Sequence, residues 1–314
     1  MTRAPRDNAP RASHFWVGTV AGIALGAVLL FSAYAKALDP KGFAAQIARD
    51  GMLDASLATP AALVVIALEA ALGLALVLGL RHPLVLSLAT AMMIAFVGLA
   101  AWQWAYPPAD PSTCGCFGNF VEQTPAEHTG MNGLFVLLAL AAWLGRPLFA
   151  SRRWWLAVLL AGFAGAMGFS AAAPALPIDD WPGATRLKPG ISVADLRVDE
   201  IVPELQDDTH LVLLIDRADE ETRLDIARVN EHLALVGGPV NVFGLAEENE
   251  ELEAQFFWTA APAFDVRGAP YGLIKPLYRS LPRAFVVRDG VVVEVWNGIP
   301  GDEQLVALAE GRLP

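Results

Sequence analysis

The chain has 314 residues, of which 55% are hydrophobic and 18% are charged, and its net charge is −11. The charges are divided unevenly: residues 1–177 have ten Lys or Arg and eight Asp or Glu (net +2), whereas residues 178–314 have twelve and twenty-five (net −13). An apolar half followed by an acidic half indicates a membrane domain joined to a soluble domain. The acidic domain argues against a nucleic-acid partner, because phosphate contacts require Lys and Arg.

Stretches with at most one charge predict membrane-spanning helices in the first half: residues 16–35, 59–80, 83–106 and 154–175. Each is long enough, at about 1.5 Å per residue, to cross a hydrocarbon core of about 30 Å. A shorter stretch, residues 129–145, predicts a further span that extends to residue 150, with Arg146 reaching toward the headgroups. The prediction is an α-helical membrane bundle of four helices over residues 16–150, after a tail of residues 1–15, with a fifth span over residues 151–176.

Lys and Arg residues mark the cytoplasmic side of a membrane protein. Seven lie before the first span, between the second and third, and around the junction of the fourth and fifth: Arg3, Arg6, Arg11, Arg81, Arg146, Arg152 and Arg153. The opposite side has Lys36, Lys41 and Arg49. The sequence therefore predicts a multi-pass membrane protein with a cytoplasmic N-terminus, and with residues 107–128 and all residues after 175 outside. For the first span, a signal peptide cleaved after residues 33–35 is the alternative.

The two cysteines of the chain, Cys114 and Cys116, lie in the loop predicted to be outside, where disulfides form and persist. A bridge between them closes a very small ring, which requires the bent backbone that Gly115 permits, and such strained bridges are labile. The pair is therefore predicted to be catalytic in thiol–disulfide exchange. Two alternatives stay open: a purely structural turn, and a soft metal ion held by both thiolates and His128.

Glu69 is the one charged residue within the second span, and a carboxylate in the bilayer is costly unless it has a partner or a function. Lys36, at the outer end of the first span, is the predicted partner. A structural contact within the bundle and a role in proton or quinone handling are both open for this pair. No cofactor is evident in the sequence, and a quinone is the single candidate. Gly73 and Gly79 are predicted to let helices pack closely.

The segment CGCFGNFVEQTPAEH and the apolar MNGLFVLLALAAWLG after it resemble the cysteine loop and fourth helix of the DoxX-like and methylamine-utilisation MauE membrane proteins. FSAYAKALDPKGF and TPAALVVIALEAALGLALVLG are similar to the first two helices of that family. The resemblance covers about residues 15–150. It implies a four-helix bundle in the bacterial inner membrane, with a part in disulfide formation while the methylamine dehydrogenase small subunit matures. Many relatives have a basic residue before the Asn or Asp that opens the fourth helix, whereas Met131 precedes Asn132 here.

The second half begins with a segment rich in Pro, Gly and Asp, residues 177–189, which predicts a linker. Strands are predicted at residues 210–216, 240–246, 284–288 and 291–296, the last two joined by the hairpin signal Asp289-Gly290. Helices are predicted at residues 219–236, 247–258, 271–280 and 302–313. This alternation indicates an α/β domain whose sheet is covered by helices.

The order of these elements resembles the thioredoxin-like fold over residues 190–314, with LPRAFVVRDGVVVEVWNG as the segment in which a cis proline, Pro282, precedes the final hairpin. The Cys-x-x-Cys of that fold belongs where the first strand meets its helix. Glu220 and Arg223 stand there instead, or Asp219 and Thr222 one register earlier. The resemblance therefore implies a thioredoxin-like scaffold without thiols. A docking module and a degenerate domain held only for stability are both open for it.

One function that follows is a membrane thiol–disulfide factor, in which Cys114 and Cys116 exchange electrons with an extracytoplasmic client that the outer domain selects. The alternative is a non-enzymatic assembly or scaffold protein whose acidic outer domain binds a partner such as a periplasmic dehydrogenase subunit. Transport is a weaker hypothesis, because the spans contain one embedded carboxylate and show no inverted repeat of the kind that forms a permeation path. The five histidines are too scattered to predict a metal cluster.

Overall fold

The computed structural model describes residues 9–49, 51, 53–106, 120, 124–144, 154–234 and 240–312. The two cysteines lie outside these described residues, as do Arg146, Arg152 and Arg153. The chain forms two compact units, Met1–Leu176 and Pro177–Pro314. We call them the membrane unit and the sheet unit.

The membrane unit consists of helices that the apolar stretches of the sequence predict. They are α1 (Ala9–Leu38), α2 (Pro40–Arg49), α3 (Ala55–Val77), α4 (Pro83–Ala105), α5 (Pro125–Ala142) and α6 (Trp154–Ala172), with a 3-10 turn at Ala173–Ala175. Four segments are long and apolar enough to cross a membrane: Trp16–Leu38, Ala55–Val77, Pro83–Ala105 and Trp154–Ala175. Helix α5 covers most of the span predicted at residues 129–145, but is not among these four in the described part of the chain. These long apolar helices fit a membrane bundle.

Close contact between α1 and α3 depends on two glycines. A Cβ atom added at Gly73 would lie 2.8 Å from the carbonyl oxygen of Gly26, and one added at Gly26 would lie 2.8 Å from the carbonyl oxygen of Gly73. The prediction for Gly73 is therefore confirmed. Gly79 has a different role, because its φ of +72° ends α3 with hydrogen bonds from Gly79 N to Leu76 O (3.0 Å) and from Leu80 N to Ala75 O (2.8 Å).

Helix α2 was not predicted from the sequence, although its apolar residues recur at helical spacing, because it is only ten residues long and lies in the connection between two apolar spans. Pro40 opens it, as is common at a first helical position. The Asp39 carboxylate accepts a hydrogen bond from Gly42 N at 2.9 Å, which satisfies a backbone donor that the helix itself leaves unpaired. The helix packs along α3 and places Phe43 beside Lys36.

The sheet unit contains one mixed five-stranded sheet with helices on both faces. The strands are β1 (Thr209–Leu214), β2 (Asn241–Glu247), β3 (Asp265–Ala269), β4 (Arg283–Arg288) and β5 (Val291–Asn297), in the order β3-β2-β1-β4-β5. The helices are α7 (Glu220–Val229), α8 (Glu250–Ala260), α9 (Tyr271–Ile274) and α10 (Asp302–Ala309). β1, β2 and β3 are parallel, whereas β4 is antiparallel to β1 and β5. The hairpin predicted at Asp289-Gly290 is the β4–β5 connection.

Two parts of this unit differ from the pattern in the sequence. Strand β3 was not predicted, because the five residues DVRGA contain two charges and a glycine. Residues 177–189 pack as part of the unit: Leu187 is buried in its core, and Arg186 N donates to Pro276 O at 2.8 Å. The composition of this segment indicates turns, but its few apolar side chains are enough to hold it against the sheet.

An ion pair on the edge strand β3 predicts how the stability of the sheet unit depends on pH. Two guanidinium nitrogens of Arg267 donate to the two carboxylate oxygens of Glu204 at 2.7 and 2.9 Å, and this pairing lowers the pKa of Glu204 to about 2. Because the folded-state pKa lies below the ordinary one, the stabilisation is present above the ordinary pKa and is lost as pH falls toward the folded value.

We therefore expect Glu204→Gln to lower the urea midpoint of the sheet unit at about pH 7 and to have a smaller effect at about pH 3. Pulse proteolysis of the purified full chain measures this midpoint. Glu303→Gln, which removes an exposed carboxylate from α10, is the charge-matched control. An equal effect of Glu204→Gln at both pH values would contradict the expectation, and high salt should weaken the effect because the carboxylate is exposed.

Candidate functional site

Three polar side chains form a buried triad between α1 and α3. Lys36 Nζ lies 2.5 Å from Glu69 Oε1 and donates to Ser32 Oγ at 2.9 Å. The Ser32 hydroxyl in turn donates to Glu69 Oε1 at 3.1 Å. The exposed fractions of the Lys36 and Glu69 side chains are 3% and 0%. The predicted partnership of Lys36 and Glu69 is therefore present as a fully enclosed ion pair.

The local fold explains why these three side chains meet. Ser32 and Lys36 are four residues apart on α1, so that they lie on one face of the helix, one turn from each other. Glu69 precedes Gly73 by four residues on α3, and Gly73 faces α1 at its closest approach. The glycine contact therefore brings the two backbones near enough for a short ion pair one turn away.

Aromatic rings enclose the ammonium group of Lys36. Its Nζ lies 5.1 Å from the ring centroid of Phe43 on α2 and 5.0 Å from that of Phe96 on α4. Rings at this distance attract a cation through their quadrupole, and they also keep water away from it. The charge of Lys36 is thus balanced by one carboxylate, one hydroxyl and two rings.

Helix α5 adds two buried polar side chains, His128 and Asn132, which lie one turn apart on the same face. His128 is close enough to Lys36 for the charge of the ammonium group to act on it. Among the described residues, Asn132 Nδ2 has no acceptor and Glu69 Oε2 has no donor. Because an unpaired buried polar atom costs about 1–3 kcal/mol, each of these two atoms is suited to a further polar partner, and Glu69 Oε2 is also suited to a proton.

The triad lies toward the end of the bundle where α1 ends and α5 begins, which we call the Lys36 end. At the opposite end, the buried Arg81 donates to Thr19 Oγ1 at 3.0 Å. The rise of α1 from Thr19 to Lys36 is about 25 Å. The structure therefore places the ion pair well away from the basic residue that separates the second and third predicted spans.

Phe120 connects the cysteine segment of the sequence to the Lys36 end. Its ring centroid lies 4.9 Å from that of Phe31 and 6.1 Å from that of Tyr34, both on the last turns of α1. Phe120 follows Cys116 by four residues in the sequence, and four residues of extended chain reach about 14 Å at most. The described chain that leads to the thiols therefore starts beside the triad.

In the sheet unit, the residues predicted from the sequence to occupy thioredoxin active-site positions lie at the start of α7, where Asp219 and Thr222 form a helix cap. The Asp219 carboxylate accepts hydrogen bonds from Thr222 N and Oγ1, both at 2.9 Å, and so caps α7. Glu220 and Arg223 lie in the first turn of that helix. The peptide bond before Pro282 is cis, and β4 begins at the next residue. Residues 177–314 contain no cysteine and no methionine, so that this unit has no sulfur chemistry of its own.

The sequence patterns did not reveal Ser32, Phe43 or Phe96 as parts of the site. Ser32 had a usable signal, because it lies one helical turn before Lys36. The two phenylalanines had none, since they come from separate helices and resemble ordinary lipid-facing or core residues. No group of three or more His, Cys, Asp or Glu that could hold a metal ion occurs within the described ranges.

Comparison with known proteins gives one family match. Residues 15–145 match the family model described as methylamine utilisation protein MauE. The matched range contains most of α1, all of α2 to α5, the triad and both cysteines. It ends before α6 and the sheet unit. A comparison with curated proteins finds no match to the chain.

Proposed function

We propose, from the premise that residues 15–145 match the methylamine-utilisation MauE family, that this protein is a membrane thiol–disulfide factor for an extracytoplasmic client. Cys114 and Cys116 are the exchanging pair, and methylamine utilisation is the setting. The observation that carries the proposal is the packing of Phe120 on Phe31 and Tyr34. This contact ties the segment after the cysteines to the end of the bundle that bears the buried lysine.

The proposed reaction is disulfide transfer. A client thiolate attacks the Cys114–Cys116 disulfide, so that this bond breaks, a mixed disulfide forms, and one cysteine leaves as a thiolate that takes up a proton. A second client thiolate then displaces the other cysteine. The client gains one S–S bond and loses two electrons and two protons, and the protein ends as a dithiol. For return to the disulfide, a quinone dissolved in the bilayer is the class of two-electron acceptor that we propose.

The orientation that suits this reaction has the N-terminus in the cytoplasm, the Lys36 end toward the outside, and the sheet unit outside. Five spans give this arrangement if α5 and α6 both cross the bilayer of the inner membrane. The sheet unit then serves as the docking module for the client. Its central β1, parallel to β2 and antiparallel to β4, supports a thioredoxin-like scaffold, and its lack of sulfur supports docking rather than exchange.

The cysteine requirement is tested by Cys116→Ser. We expect the oxidised fraction of the client to fall to the level of a strain without the protein, because one thiol cannot form or receive the intramolecular disulfide. Thiol trapping and gel shift measure this fraction, with the methylamine dehydrogenase small subunit as the first client tested. Ser112→Ala, in the same loop, is the matched control. Normal client oxidation with Cys116→Ser at unchanged membrane abundance would refute the proposal.

A scaffold function is the second candidate, and the net charge of −13 on residues 178–314 favours it, because an acidic surface suits a basic partner. Alkylation by a membrane-impermeant maleimide separates the two. If the cysteines exchange, they react only after mild reduction. If the protein is a scaffold alone, their reactivity is the same before and after reduction.

A further inference from the structure

We propose that Glu69 is a proton-accepting site of the membrane unit, and that Lys36 and His128 connect it to the Lys36 end of the bundle. The inference deepens the proposed function, because disulfide transfer releases protons at that end. It does not depend on the cysteines for its evidence, since the site consists of described residues. A static ion pair is the alternative that has to be overturned.

The two carboxylate oxygens of Glu69 have very different surroundings. Oε1 is engaged by the Lys36 ammonium and by the Ser32 hydroxyl. Oε2 is buried and receives no hydrogen bond from the described residues. A structural ion pair normally has its remaining lone pairs satisfied, because desolvation otherwise exceeds the Coulombic gain. A proton on Oε2 removes charge from the oxygen that lacks a donor.

Few other charges occur on the helices around this carboxylate: the exposed Glu127 on α5 is engaged in its own capping box, and Asp39 after α1 accepts a hydrogen bond from Gly42 N. Helices α4 and α6 contain no Asp, Glu, Lys or Arg, and α3 contains only Glu69. Lys41 and Arg49 on α2 are exposed. Within the described helices, Lys36 is therefore the ionisable group that contacts Glu69, and His128 is buried on α5, which packs against the helix that carries Lys36.

The two ionisable groups also give the site a direction. Lys36 lies two residues before the end of α1, and His128 lies in the first turns of α5, just after the Thr124–Glu127 capping box. Both are nearer to the Lys36 end than Glu69 is along its own helix. His128 supplies an imidazole, the side chain that commonly relays protons in proteins, whereas Phe43 and Phe96 lie against other sides of the ammonium group. The proton therefore enters and leaves through α5.

The proposed exchange moves a proton only and needs no oxidant. The Lys36 ammonium donates one of its protons to the Glu69 carboxylate, and a proton that His128 has taken up from outside passes to the resulting Lys36 amine and restores the ammonium. The carboxylate becomes a neutral carboxylic acid, and the ion pair becomes a lysine ammonium beside that acid. During disulfide transfer, the site accepts a proton that a client thiol releases and returns it to the thiolate that leaves.

Infrared difference spectroscopy of the full-length protein in lipid nanodiscs tests the site directly. After a pH step we expect a carbonyl-stretch band of a protonated carboxylic acid, equal to one group per chain. The band is absent in Glu69→Gln and retained in Asp54→Asn, which removes the exposed carboxylate that caps α3. In His128→Phe the band should rise several-fold more slowly. A static structural histidine would leave this rate unchanged.

The inference is overturned if no Glu69-dependent band occurs at either pH, because the pair is then permanently ionised. A band of constant size would overturn it too, since Glu69 would then hold its proton permanently. Failure of the proposed function is a different result: Cys116→Ser would support the client normally while the Glu69 band still responds to pH. If no Glu69 band responds to pH while the client still requires Cys116, the proton site is refuted and the proposed function is not.

Discussion

Lys36→Met is expected to lower the free energy of unfolding by about 3–5 kcal/mol at neutral pH, because it leaves the Glu69 carboxylate buried without its counter-charge. Methionine keeps most of the volume of lysine, so that the loss of charge dominates. Glu69→Met should cost a similar amount by leaving the ammonium group between Ser32 and two phenylalanine rings. Thermal unfolding of the detergent-solubilised full chain measures both.

The double variant Lys36→Met/Glu69→Met decides whether the loss comes from the unpaired charge. Two apolar side chains of similar volume should recover most of the stability, because a buried ion pair and a hydrophobic pair are often equivalent. A double variant as unstable as either single variant would contradict this explanation. The cost of Lys36→Met alone should also be smaller in acidic buffer, where Glu69 takes up a proton. Despite its restored stability, the double variant should show no carboxylic-acid band.

Gly73→Val is expected to reduce the membrane abundance of the protein severely. The added Cβ lies 2.8 Å from Gly26 O and 2.9 Å from Leu30 N, and these backbone atoms cannot move unless α1 moves with them. Even Gly73→Ala should cost about 1–3 kcal/mol by overpacking. Since Glu69 lies one turn away, separation of the helices also pulls the ion pair apart.

The matched control for the contact between α1 and α3 is Gly98→Ala on α4, where an added Cβ has no atom within 4 Å. Alanine at an open helical position should be neutral or stabilising, because glycine is the poorer helix former. Abundance in membranes and the thermal midpoint in detergent compare the variants. If Gly73→Ala and Gly98→Ala behave alike, the close approach of α1 and α3 does not stabilise the bundle.

The two predictions concern the same part of the protein and separate packing from charge. Gly73→Ala changes the distance between α1 and α3 but leaves all charges in place. The Lys36 and Glu69 variants change the charges but leave the glycine contact intact. Changes at both sites should not add, because the close approach of α1 and α3 at Gly73 also sets the distance between Lys36 and Glu69. A variant that combines Gly73→Ala with Lys36→Met is therefore expected to lose less than the sum.

The sequence by itself determined the apolar helices, the acidic second half and the strands with a strong pattern. A long apolar segment that crosses a bilayer has to form a helix, because its backbone polar groups find no water there and must pair with one another. It also identified Glu69 and Lys36 as partners, since charges inside apolar spans are few. The Asp289-Gly290 hairpin was determined by local backbone preference alone.

Tertiary structure decided the features that depend on contacts between distant segments. Ser32, Phe43 and Phe96 become parts of one site only because three helices meet around Lys36. Strand β3 forms because β2 supplies its backbone partners, although its own residues have little strand preference. Gly73 and Gly79 look equivalent in the sequence, but one faces a neighbouring helix and the other ends its own. The pattern of residues along the sequence indicates the local backbone preference. The burial of side chains, the pairing of strands and the close approach of helices depend on segments that are distant in the sequence.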